Sequence, residues 1–132
     1  MVNLIYIHSR GVSNKLWEDT GILNRELLYY CALAKKLGLS KFSIYSYEIQ
    51  KINDFNYEGI TISTLTNSNK IISKFPKKLK EIFIAFSHSI NLLKKIAFSD
   101  DLFVIRSGQS DGAYVAWLAK IFFNKKSIFV LR

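Results

Sequence analysis

Two places where an apolar strand gives way to a polar loop and then to a helix set the tightest limit on how this chain folds. The first leads from Val2–Ile7 (VNLIYI) through a long polar stretch to the helix opened by Gly21–Tyr30 (GILNRELLYY). The second leads from Leu102–Ile105 (LFVI) through Arg106–Gly112 (RSGQSDG) to a helical run ending near Phe123. Repeated strand-to-helix junctions imply parallel strands whose outgoing loops gather on one sheet edge, and that edge is where such sheets hold ligands. The last apolar strand runs straight into Arg132, which suggests one half of a larger protein.

The remaining elements follow from periodicity. Val2–Ile7 is almost wholly apolar, as a strand covered on both faces should be. His8 to Thr20 has no sustained period and reads as a long loop, of the kind that often carries function. From Ile22 to Leu37 apolar residues recur at three- and four-residue steps, with Lys35, Lys36 and Gly38 as a cationic, glycine-ended last turn. Phe42–Tyr47 and Ile60–Leu65 alternate as strands; they form either an edge hairpin or parallel neighbours joined by an irregular crossover. Pro76 suits the first turn of a helix continuing from Lys77 to Phe98, with Leu79, Ile82, Phe83, Phe86, Ile90, Leu93 and Ala97 as its buried stripe. Ser127–Leu131 closes the series. The order β, α, β, β, α, β, α, β predicts a Rossmann-like three-layer α/β domain with a mostly parallel five-stranded sheet.

At 132 residues, 49% hydrophobic, the chain is one domain with a real core. Its single cysteine, Cys31, excludes an intrachain disulfide and fits a reducing cytoplasm. No uncharged run reaches the roughly 18 residues that cross a bilayer. The net charge of +9 calls for an anionic partner such as nucleic acid, acidic lipid or a phosphorylated substrate, although a lysine-rich composition also follows from AT-rich coding.

Several chemistries are disfavoured or excluded. Gly11 stands alone after the first strand, so the G-x-G-x-x-G turn of a dinucleotide site is missing, and there is no P-loop. Neither His8 nor His88 has a metal-ligand neighbour; no cofactor or metal is expected, and no catalytic residue emerges from spacing. His88, in FSHSI, is expected at an exposed or half-exposed position. Gly21, at the head of its helix, is either an ordinary turn glycine or one that lets a phosphate approach free N–H groups. Arg25 can face the loop crevice or solvent, and Glu26 suits the positive end of the helix dipole; taken alone, both are ordinary surface residues. Arg106 and Arg132, at the carboxyl ends of neighbouring strands, converge on the same crevice, where arginine suits phosphate or sugar hydroxyls. Lysines 77, 78, 80, 94 and 95 bracket an apolar centre, so the long helix fits either a core role with solvated ends or a seat on an anionic membrane.

Taken together, GILNRELLYYCALAKKLG, FSIYSY and LFVIRSGQSDGAYVAWLAKIFFNKKSIFVLR resemble the N-terminal Rossmann-like domain of GT-B glycosyltransferases, in particular the retaining group 1 family. The resemblance implies an acceptor-binding half of a hexosyltransferase-type enzyme, inactive without a C-terminal domain to hold the sugar nucleotide. It makes Gly21 the glycine on the side of the donor diphosphate, and His8, Arg10, Arg106 and Gln109 the acceptor side of the cleft. It implies a glycan or lipid-linked acceptor, work in cell-surface glycan synthesis, and a place in the cytoplasm or at the inner membrane face. Two rival readings are a basic, non-catalytic α/β module that binds nucleic acid through exposed aromatics such as Trp17 and Tyr57, and a scaffold that docks onto an intact transferase.

Overall fold

The computed structural model describes residues 1–9, 11–47, 53–66, 70–108, 117–118, 120–123 and, as backbone, 127–131. Its strands are β1 (Val2–Ile7), β2 (Lys41–Tyr45), β3 (Phe55–Tyr57), β4 (Ile60–Leu65), β5 (Leu102–Ser107) and β6 (Ser127–Leu131). Its helices are α1 (Asn14–Asp19), α2 (Leu23–Lys36) and α3 (Lys77–Ala97), with a 3-10 turn at Ile72–Lys74. Residues 117–118 and 120–122 are also helical, within the run expected to end at Phe123; residues 111–116 lie outside the described residues.

The strands form one mixed, mostly parallel sheet in the order β3-β4-β2-β1-β5-β6. Every pairing is parallel except that of β3 with β4. The sheet thus has six strands where five were expected. The extra one, β3, is three residues long and joins β4 through Glu58 and Gly59, both at positive φ (49° and 81°), the geometry of a two-residue hairpin turn of the primed type. β2 and β4, the ambiguous pair, are parallel neighbours, and β3 lies in the chain between them.

Alternation along the strands divides the core. Leu4 and Tyr6 of β1, with Phe42, Ile44 and Ile62, pack against Trp17 of α1 and Leu27, Tyr30, Cys31 and Ala34 of α2. Ile5 and Ile7, with Tyr45, Phe103 and Ile105, pack against Leu92 and Ile96 of α3. Side chains two apart share a face and adjacent ones do not, so β1 is lined by helices on both sides and its run of apolar residues is explained.

Two expectations change here. The stretch from His8 to Thr20 is not all loop: the Ser13 hydroxyl accepts a hydrogen bond from the Leu16 N–H and caps α1, whose Trp17 is buried. A single turn and a half is too short to show a helical period. Most of the stripe assigned to the core face of α3 points outward instead, with half-buried Leu93 still packing against the core. Ile84, Ala85, His88, Ser89, Leu92 and Ile96 are its buried residues, whereas Leu79, Ile82, Phe83, Phe86 and Ile90 are exposed. The helix is apolar on two sides, and the longer stripe is the wrong one. Its inward side includes His88, which is buried with Nε2 donating to the Ser46 carbonyl at 2.8 Å, not at the exposed or half-exposed position expected.

Candidate functional site

Chain order reverses at β1. From β1 the chain builds outward through β2 and β4 on one side, then crosses to β5 and β6 on the other. At the carboxyl ends of β1 and β5 a cleft of about 360 Å³ opens, lined by Tyr6, His8, Ser9, Trp17, Arg25, Glu26 and Gly108, with Val12 and Ile22. Such a switch point is where open parallel sheets receive ligands.

His8 is the chemical centre of this cleft. It continues the side-chain alternation of Leu4 and Tyr6, and its backbone N–H extends the sheet by bonding to the Tyr45 carbonyl. The imidazole is fully buried, edge-on to Trp17 with ring centres 4.2 Å apart and edge-on to Tyr6 at 5.2 Å. Asn14, the first residue of α1, is buried too; its Nδ2 donates to Thr64 Oγ1 (3.0 Å) and its backbone N–H to Ser46 Oγ (3.2 Å). That leaves Asn14 Oδ1 to accept from His8 Nε2 at 2.8 Å. The proton of a neutral imidazole is then on Nε2, and Nδ1 carries a lone pair. Nδ1 is buried and has no hydrogen-bond partner among the described residues. Burial above all holds the His8 pKa down to about 4, with the Asn14 bond and the Glu26 charge pulling back only in part, so the ring is neutral near pH 7.

The opposite wall comes from the start of α2. Glu26, in its first turn, is buried and pairs with the largely exposed Arg25 at 3.1 Å. Its place in the first turn puts it at the positive end of the helix dipole. The floor is closed at Gly108, where a Cβ would stand 2.3 Å from the Tyr6 hydroxyl. Only glycine fits so close to the tyrosine.

The residues singled out from sequence separate. His8 lines the cleft. Gly21 does not: at φ 70° it ends α1, its N–H bonded to the Glu18 carbonyl (3.0 Å) while the Ile22 N–H bonds to Trp17 (2.8 Å). That pair of bonds is a Schellman turn, so the Gly21 amide is already engaged. Arg106 lies inside β5, which extends to Ser107, rather than after it. Its guanidinium donates to the Tyr29 hydroxyl and lies 4.6 Å over the Tyr29 ring, off the cleft wall. Arg10, Gln109 and Arg132 are outside the described residues. Trp17, expected to be exposed, is buried in the cleft wall, and Tyr57 is half-buried. Sequence reading passed over Asn14, Ser9 and Gly108; the signal for Asn14 was Ser13 before it, a helix cap hidden in an irregular stretch. Among the described residues no group of His, Cys, Asp and Glu is placed to hold a metal ion.

No protein-family model, curated protein or solved structure matches this chain. The functional reading rests on its residues and their geometry.

Proposed function

We propose that the chain is a Rossmann-like, three-layer ligand-binding domain, and that it serves as the acceptor-binding N-terminal domain of a sugar-nucleotide-dependent glycosyltransferase. One observation carries the reading: a polar cleft at the reversal point of the sheet, in which a buried imidazole nitrogen is left with an open lone pair. A ligand rich in hydroxyls satisfies what the cleft offers. Nδ1 of His8 and the Glu26 carboxylate accept hydrogen bonds, Arg25 donates them, and the Ser9 hydroxyl does either. The rings of Tyr6 and Trp17 hold the imidazole edge-on and fix the direction of its lone pair.

The roles drawn from the family resemblance fare unevenly on this geometry. An acceptor role for His8 gains support from its unpartnered nitrogen. The diphosphate role of Gly21 gains none from its own amide, which bonds to Glu18. Arg106, with one guanidinium nitrogen on Tyr29, lies off the cleft wall and gains no support there. Transfer itself needs a second domain to bring the sugar nucleotide. In this reading the protein works in the cytoplasm, at the inner membrane face, in cell-surface glycan synthesis.

The test is a titration of the isotopically labelled protein with nucleotide sugars and, separately, with short oligosaccharide acceptors. Shifts at His8, Trp17 and Gly108 on acceptor addition, lost in His8→Phe, are the expected result. No response to any carbohydrate at millimolar concentration refutes the reading. The rival, a nucleic-acid module, rests on the +9 charge, since Trp17 is buried and unavailable for stacking on a base. It requires single-stranded RNA or DNA to bind with a steep salt dependence.

A further inference from the structure

The outward face of α3 is unlike that of a helix meant for water. A surface helix buries one apolar stripe and turns polar residues to solvent. Here Leu79, Ile82, Phe83, Phe86 and Ile90 recur at three- and four-residue steps on the side away from the sheet, between 36 and 64% exposed. Phe75, just before the helix, stacks on Phe83 with ring centres 5.4 Å apart and enlarges the patch. Two shallow apolar grooves flank it. One, of about 400 Å³, runs between Ile82, Phe86 and Ile90 of α3 and Leu118; the other, of about 310 Å³, is lined by Lys94, Phe98 and Phe122. Leu93 belongs to both grooves, so they are continuous. Trp117, Phe122 and Phe98 add exposed aromatic surface, at 58, 66 and 89%.

Charge decides between the occupants such a face can have. α3 carries five lysines and one glutamate, with Lys77, Lys78 and Lys80 at one end of the apolar stripe and Lys94 at the other, while Lys95 lies on the sheet side beside Asn3 and Lys41. A second copy docked antiparallel would set lysines against lysines at both ends, and docked parallel it would do the same. An anionic bilayer satisfies both features at once: apolar and aromatic side chains enter the acyl boundary while lysines at the rim meet the headgroups. No helix among the described residues is long and apolar enough to cross a membrane, so α3 would lie in the plane of the interface.

We propose that the outward face of α3, with Trp117 and Phe122, seats the protein on an anionic lipid surface. The cleft at the carboxyl edge of the sheet is a separate feature. Failure of the carbohydrate titration would leave this seat untouched, and the converse holds too.

The experiment is flotation of the full chain with phosphatidylcholine vesicles, with and without about a quarter of phosphatidylglycerol. Binding is expected only to the anionic vesicles, and it should weaken with added salt. Replacing Lys77, Lys78 and Lys80 by Gln should lower partitioning by about fivefold for each charge removed. Phe86→Ser should abolish it while leaving the unfolding midpoint and the circular dichroism unchanged, because Phe86 is exposed. Absence of binding, equal binding to neutral vesicles, or a dimer on size exclusion that Phe86→Ser converts to monomer would each overturn the proposal, the last by making a second copy the occupant.

Discussion

Asn14 Oδ1 lies 2.8 Å from Nε2 of His8, and this contact determines which nitrogen of a buried imidazole is left without a proton. Removing the amide should therefore change both stability and tautomer. Asn14→Ala strands His8 Nε2 and the Thr64 hydroxyl, so a loss of about 1–3 kcal/mol is expected in urea unfolding. Asn14→Asp places a negative charge beside the ring and should raise the His8 pKa, as followed by histidine resonances through a pH titration. An unchanged titration would mean the contact is not formed.

The pH dependence of stability has a fixed sign. Burial, opposed only in part by Asn14 and Glu26 and reinforced by His88, lowers the folded pKa of His8 from 6.5 to about 4. Between those values the unfolded chain holds the proton and the folded chain does not, so stability is full above pH 6.5 and falls as the pH drops toward 4. For His8 the loss is about 3 kcal/mol. His88, likewise lowered by burial, adds to it in the same direction. His8→Phe should flatten the fall by about one proton; an undiminished slope would assign it elsewhere.

Gly108→Ala should cost about 1–3 kcal/mol, because its methyl group would meet the Tyr6 hydroxyl at 2.3 Å. The cost should largely vanish in the Tyr6→Phe background, where that oxygen is absent. Equal penalties in both backgrounds would place the strain in the backbone and not at the tyrosine.

Gly21 offers the contrast. No atom stands within 4 Å of a Cβ placed there, yet its φ is 70°. Gly21→Ala should cost about 1 kcal/mol through conformation alone, and Gly21→Asn less, since Asn tolerates the left-handed region. A thermal melt of the two variants distinguishes these outcomes from a ligand role, in which binding rather than stability would suffer.

Most of the sheet was legible because its signals are local. β1, β4 and β6 match their apolar or alternating runs residue for residue, and α2 ends at Gly38 as its lysines announce. β3 was hidden by Glu58, since glutamate seldom takes the positive φ that its hairpin turn needs. The core face of α3 was misjudged because size and hydrophobicity favoured the phenylalanine stripe, whereas the sheet selected smaller residues and His88. In the candidate site, the position of His8 after β1 could be read from the sequence, but its isolation could not. Asn14, Trp17 and Glu26 reach it from two helices, and Gly108 follows a strand about a hundred residues away.

The central place of β1 bears on how the chain comes to its native state. This strand is synthesised well before one of its two neighbours, β5, which begins at Leu102. Until that late segment emerges, an apolar ribbon has an open flank able to pair with any other extended chain nearby. Such distant closure slows folding and lengthens the exposure. Yield from expression in cells should therefore depend more on chaperone capacity and growth temperature than on the stability of the finished domain.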